Sequence, residues 1–180
     1  CLFILDEAYV EFAPKGIAPE INADDERVIR FRTFSKAYGM AGARVGYAIC
    51  NIELALAFNK IRNHFGMSRI SQAGALAALS DLSHLKDTIK NVNDAKNRIY
   101  EIALKNKLTA IPSATNFVAI DCGEGQDKAN KIMNGLILEG IFVRMPFVSP
   151  QNRCIRISAG RPKDLDLFEQ ALPKVLEKIS

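Results

Sequence analysis

The sequence predicts an α/β protein made of a piece of one domain followed by a complete, smaller α/β domain, and three observations predict it. An apolar run, Leu2-Phe3-Ile4-Leu5, ends in Asp6, as a strand buried on both faces of an open α/β sheet ends in an acid aimed at a ligand cleft. Stripes of apolar residues at helical spacing then alternate with short strand-like runs over the remaining length. Finally, the 180-residue chain opens on Cys1, without a methionine and inside what reads as a buried strand, so the expectation is a fragment.

The second strand reads as Val28-Ile29-Arg30-Phe31-Arg32-Thr33-Phe34. It leads into small residues where neither strand nor helix period persists, which places Lys36 at a strand end. Residues 43–50 form a further apolar strand. A helix over 51–65 follows, because Leu54, Ala57, Phe58 and Ile61 recur at helical spacing. Residues 68–79 are alanine-rich and apolar nearly all round, which predicts a buried helix. Over 83–105 one stripe holds Leu85, Ile89, Val92, Ile99 and Ala103, while Lys86, Lys90, Asp94, Lys96, Arg98 and Glu101 read as a solvated face. This long helix is expected to link the domains, dividing the chain into 1–82, 83–106 and 107–180. In the last part, strands are predicted over 115–122, 141–144 and 153–158, and a helix over 127–139 ended by Gly140. A final helix from Lys163 carries Leu165, Phe168, Leu172, Val175 and Ile179 on one face. Pro173 should interrupt and kink it, since proline removes a donor and clashes one turn back.

Chemistry concentrates in Arg32-Thr33-Phe34-Ser35-Lys36-Ala37-Tyr38-Gly39-Met40-Ala41-Gly42-Ala43-Arg44-Val45-Gly46. A lysine amine with a lowered pKa bonds covalently to an aldehyde, and Thr33, Ser35 and Arg44 are suited to hold a phosphate beside it. An aldehyde that also carries a phosphate is pyridoxal phosphate. That cofactor is an electron sink only while its ring nitrogen is protonated, which a carboxylate held against the nitrogen ensures. Asp6, thirty residues before Lys36, stands in the right order for that task. Read singly, each residue has an ordinary alternative. A lysine after a strand is usually solvated, an aspartate there caps a turn, Arg44 could pair with a surface acid and Ser35 could cap the next turn. The joint pattern favours the site.

With Asp6-Glu7-Ala8-Tyr9, Pro112-Ser113-Ala114-Thr115-Asn116-Phe117 and Arg153-Cys154-Ile155-Arg156-Ile157-Ser158 added, the chain resembles the fold-type I pyridoxal-phosphate aminotransferases, in particular the histidinol-phosphate aminotransferase branch. The match runs over essentially all residues but only along that family's C-terminal half. It departs at Gly160-Arg161-Pro162, where relatives more often read Gly-Thr. The resemblance implies the C-terminal part of an aspartate aminotransferase-like large domain plus the complete small domain. It also implies roles: Lys36 for the covalent lysine, Asp6 for the partner of the pyridine nitrogen, Tyr9 for the donor to the ring's phenolate oxygen, and Ser35 with Arg44, and Thr33 as a further candidate, for the phosphate clamp. Arg156 fits the arginine that grips the substrate anion, with Arg144 as a second contact; for both, a structural salt bridge is the alternative. Asn116 is as consistent with a turn.

The implied activity is transamination between an amino donor with an anionic group and a 2-oxo acid, with histidinol phosphate and 2-oxoglutarate the favoured pair and a homodimer the implied assembly. An aromatic amino acid aminotransferase or a decarboxylase of phosphorylated amino acids would share these motifs. From a different class, the alternative is an incomplete fragment without turnover of its own. Composition is compatible with a soluble cytoplasmic enzyme: no run is long enough for a bilayer and no signal peptide is recognisable. Cys1, Cys50, Cys122 and Cys154 are widely spaced and the histidines are only His64 and His84, so no metal constellation emerges. The net charge of +4 comes from lysines interleaved with acids, without an aromatic and basic patch, which argues against nucleic-acid binding.

Overall fold

A computed structural model describes residues 1–20 and 22–179 of the chain. It divides into two compact units, Cys1–Ile89 and Lys90–Ser180.

The first unit is built on strands β1 (Phe3–Asp6), β2 (Val28–Thr33) and β3 (Gly46–Ile49) in the order β1-β2-β3. β1 and β2 run parallel, with Asp6 opposite Phe31, and β3 returns antiparallel with Gly46 opposite Thr33. Glycine is needed at position 46, because a Cβ there would lie 2.7 Å from the Arg32 carbonyl oxygen. β3 starts later than the apolar run suggests: Ala41–Ala43 form a 3-10 turn and Arg44 is left-handed at φ 52°, which breaks the extended backbone. Helix α1 (Ile52–Ile61) starts where Asn51 Oδ1 accepts the Leu54 N–H at 2.9 Å. Helix α2 (Arg69–Ser80) is capped by Ser68, and the buried Ser71 hydroxyl ties it to the Ala43 carbonyl at 2.8 Å.

Several expectations of burial fail in this unit. β1 is not covered on both faces, for Leu2, Phe3 and Ile4 are 47, 53 and 61% exposed. Nor is α2 buried all round: Ile70 and Leu76 face outward and only Ser71 is buried. α1 buries none of its residues, and Ile61 is 82% exposed. An apolar strand or helix is covered only where another element lies against it, and the described residues supply such elements on one side.

Helix α3 (Leu82–Lys105) continues into the second unit, where the antiparallel sheet β4-β5-β6 comprises β4 (Thr109–Ile111), β5 (Phe117–Asp121) and β6 (Cys154–Ser158). Helices α4 (Gln126–Leu138) and α5 (Pro162–Ile179) complete it. Inward alternation on β5 and β6 and helical stripes on α3, α4 and α5 meet in one core, in which Ile99, Val118, Ile132, Leu136, Ile155 and Leu172 are fully buried. α4 and α5 approach so closely that a Cβ on Gly135 would stand 2.5 Å from Val175 Cγ1. Arg98 of α3 pairs with Asp166 and Glu169 of α5, and Lys105 joins Glu169 at 2.7 Å.

The second unit adds one strand and corrects three readings. The added strand, β4, has only three residues, too few for its alternation to register. Residues 141–144 form no strand; only Arg144 bridges to Arg156, and Pro146 just beyond cannot donate to a longer ladder. α5 runs unbroken through Pro173, because Leu172 and Val175 beside it are locked in the core and outweigh the lost donor. Lys96 leaves the charged face of α3 and is 6% exposed, its ammonium donating to the Ser113 carbonyl at 3.1 Å.

Candidate functional site

Parallel strands end at the same edge of their sheet, and an antiparallel neighbour begins there. The ends of β1 and β2 and the start of β3 therefore bring their connecting loops to one edge of the first unit. Asp6 is the last residue of β1, and its Oδ1 accepts the Ala8 N–H at 2.9 Å, an Asx turn that redirects the chain. The Glu7 N–H donates to the Phe31 carbonyl at 2.8 Å and fixes that turn to β2. Three residues after Asp6 comes Tyr9, and the Lys36 ammonium lies 5.2 Å from its ring centroid, within cation–π reach.

The loop after β2 is held at both ends. Phe34 and Ala37 are buried on either side of Ser35 and Lys36, and Phe34 packs against the rings of Tyr38 and Tyr47 at 4.9 and 5.5 Å. The Ser35 N–H donates to Thr33 Oγ1 at 3.0 Å, and Met40 N–H closes back on the Phe34 carbonyl at 2.9 Å. Arg44 donates to the Ala41 carbonyl at 2.7 Å, with the same nitrogen 3.5 Å from Ser35 Oγ. Two hydroxyls and a guanidinium thus gather around the lysine loop, a donor set suited to a phosphate.

Beside it lies a cluster that sequence reasoning missed. Glu7 is buried, and its two carboxylate oxygens take Arg30 Nη2 at 2.6 Å and Arg32 Nε at 2.9 Å. Burial pushes this carboxyl up, but hydrogen bonds and charge from Arg30 and Arg32 outweigh it and hold Glu7 below the usual carboxylate range. Glu11 behaves oppositely, since burial raises it and the charge of Arg32 offsets that only in part. The available signal was two arginines at alternate positions of an otherwise apolar strand, which demand an acid on one face.

The second unit carries the remaining candidates. On β6, Cys154 and Arg156 share one face while Ile155 and Ile157 enter the core. Arg144 and Arg156 exchange backbone hydrogen bonds, at 3.3 and 2.7 Å, so two like charges stand directly opposite each other. Among the described residues no carboxylate lies within ion-pair distance of either. Arg156 instead rests over the Phe117 ring, Cζ 4.4 Å from its centroid. The Asn116 carbonyl accepts the Ala159 N–H at 2.9 Å, which extends the β5–β6 pairing just beyond Phe117 and Ser158.

A sequence profile of "Aminotransferase class I and II" matches residues 1–172. The chain belongs to the class I and II aminotransferase family. It is 37% identical over 177 residues to histidinol-phosphate aminotransferase 2 of Methylococcus capsulatus, a match covering 96% of this chain and 47% of that protein. Its identity to the Carboxydothermus hydrogenoformans protein of the same name is 34%, over 97% of this chain and 48% of that one. Among solved structures, the histidinol-phosphate aminotransferase of Sinorhizobium meliloti in complex with pyridoxal-5'-phosphate is 50% identical with a TM-score of 0.95, over 99% of this chain and 50% of that one. The chain therefore spans about half the length of the relatives it matches. Among the described residues no helix is long and apolar enough to cross a membrane, and no group of His, Cys, Asp and Glu could hold a metal ion.

Proposed function

We propose that this chain supplies the lysine-bearing half of a pyridoxal-phosphate-dependent aminotransferase whose amino donor is histidinol phosphate and whose acceptor is 2-oxoglutarate. One observation carries the reading. Lys36 follows Ser35, whose N–H meets Thr33 Oγ1 and whose hydroxyl lies 3.5 Å from Arg44, in a chain whose relatives are named histidinol-phosphate aminotransferases. The donor set fits the cofactor: hydroxyls and a guanidinium for its phosphate, a carboxylate for its ring nitrogen, a phenol for its ring oxygen. When bound, pyridoxal phosphate supplies the electron sink that makes the substrate α-proton removable.

The chain's own groups do the rest. Lys36 would hold the cofactor covalently, and its amine would serve as the base that takes the proton from the substrate α-carbon. Asp6 would keep the pyridine nitrogen protonated, and Tyr9 would donate to the ring oxygen. Ser35, Arg44 and Thr33 would hold the phosphate. Arg156, with Arg144 opposite it, grips the substrate anion, because a planar fork takes carboxylate or phosphate in two hydrogen bonds. The uncompensated charge of this arginine pair supports that assignment.

In this reading residues 1–82 belong to the cofactor-binding domain, 83–106 to the linking helix and 107–180 to the small domain of a cytoplasmic homodimer. Residues 1–180 alone turn over no donor, since about half of each relative's length lies outside them. The test is borohydride reduction of the full-length protein loaded with cofactor, followed by peptide mapping. A pyridoxyl label on the Lys36 peptide, absent from Lys36→Ala, is the expected result; a label on another lysine overturns the assignment. Kinetics with a panel of donors then identify the substrate.

A further inference from the structure

Arg156 is held in an unusual way. A guanidinium in a folded domain normally meets a carboxylate, which consumes the N–H groups of its fork. Here the acid nearest along the ladder, Asp121, is taken by Arg153. Arg144 directly opposite adds repulsion rather than relief. What Arg156 has is the face of Phe117, diagonal to it on β5, where the residue directly opposite is the small Ala119. The negative face of an aromatic ring attracts the cation while taking no carboxylate-type contact to its N–H groups.

The backbone that carries the ring is well secured. The Phe117 carbonyl accepts from Ser113 Oγ at 2.5 Å and from Thr115 Oγ1 at 3.3 Å, while the Phe117 N–H donates to Thr115 Oγ1 at 3.3 Å. Ser113 in turn is gripped by α3, its N–H donating to the Tyr100 hydroxyl at 2.9 Å and its carbonyl accepting from the buried Lys96. The lysine that departs from the solvated face of α3 thus supports the turn that carries the ring.

We infer that Phe117 is a positioning residue for substrate recognition: its ring pre-orients Arg156 and leaves the guanidinium fork free for the anionic group of the substrate. This rests on the proposed role of Arg156, and the experiment separates the two claims. Phe117→Leu, Phe117→Met, Phe117→Tyr and Arg156→Ala are made in the full-length protein loaded with cofactor. For each, KM and kcat with histidinol phosphate are measured, inorganic phosphate is titrated calorimetrically, and the cofactor absorbance spectrum is recorded. Losing the ring face should raise KM and weaken phosphate binding by about 3- to 10-fold in the Leu and Met variants, with the spectrum unchanged. In the same variants kcat should stay within about twofold of wild type, because uniform binding is what is lost. Phe117→Tyr keeps the ring face and should restore both values. If Arg156→Ala changes neither KM nor phosphate binding, the anion role of Arg156 falls and the positioning role with it. If Arg156→Ala weakens both while the Leu and Met variants match wild type, Phe117 does not position Arg156 and the anion role stands. Met keeps the volume without the ring, so a folding failure of the Leu variant leaves the question answerable.

Discussion

Removing the Glu7 carboxylate should be among the costliest single changes in the first unit. Its side chain is 3% exposed and bridges Arg30 and Arg32, whose side chains are 16 and 27% exposed. Glu7→Ala leaves two guanidiniums on one face of β2 facing an empty volume, and Arg30 Nε is already buried without a hydrogen-bond partner among the described residues. Glu11 cannot substitute, because burial pushes its carboxyl toward the neutral form. Breaking one side of a buried ion pair costs about 3–5 kcal/mol, and this acid serves two partners. The assay is urea unfolding of the full-length protein followed by circular dichroism. A loss of about 3 kcal/mol lowers the midpoint by ~1 M or more at typical urea slopes. Glu7→Gln, which keeps shape and one acceptor, should lose about 2 kcal/mol. Glu7→Leu combined with Arg30→Met and Arg32→Met should recover most of the loss, since an apolar replacement of similar volume has no charges to desolvate. The pH dependence has a definite sign. The folded pKa of Glu7 lies below its unfolded value, so its stabilisation is full above the unfolded pKa and disappears as pH falls through the folded one. Wild type should therefore lose more stability on acidification than Glu7→Gln. A Glu7→Ala protein within about 1 kcal/mol of wild type, with an unchanged acid limb, would refute the reasoning.

Asp6→Asn keeps the oxygen that accepts the Ala8 N–H and so keeps the Asx turn, isolating the charge. Turnover of the full-length protein should fall by about two orders of magnitude or more while cofactor binding suffers less; near-normal turnover would make Asp6 a turn residue only. At the α4–α5 contact, Gly135→Ala drives a methyl group against Val175 and should cost about 1–3 kcal/mol in thermal or urea unfolding. Val175→Ala in the same molecule should relieve part of that cost, and strict additivity of the two changes would argue against the close approach.

What could be read in advance follows the range of the physics involved. Alternation along Cys154-Ile155-Arg156-Ile157 is a property of four neighbouring residues, and the strand and its outward arginine follow from it. The six candidate residues of the first unit fall at one sheet edge because strand ends are marked locally by Asp6 and by the small residues after Phe34. The Glu7 cluster, by contrast, joins residues 23 and 25 positions apart, and nothing near Glu7 announces that separation. The exposed faces of β1 and α2 were misread because apolar composition reports what a segment prefers, while burial depends on what lies against it. Lys96 was misread for the complementary reason: a charge on a helix reads as solvated until a distant turn, here Ser113, supplies an acceptor.

Position 44 sets backbone and side chain at odds. With φ at 52° and ψ at 49°, it occupies a conformation that glycine or asparagine adopts at least cost and that a long side chain enters at a penalty of about 1 kcal/mol. An arginine stands there nonetheless, folded back onto the Ala41 carbonyl it helps to satisfy. The turn would be easier to form without it, so a substitution chosen for backbone ease alone would relax the loop and remove the cation beside Ser35 in the same stroke. If Arg44 holds the cofactor phosphate as proposed, this local cost marks a loop specified by chemistry rather than by folding.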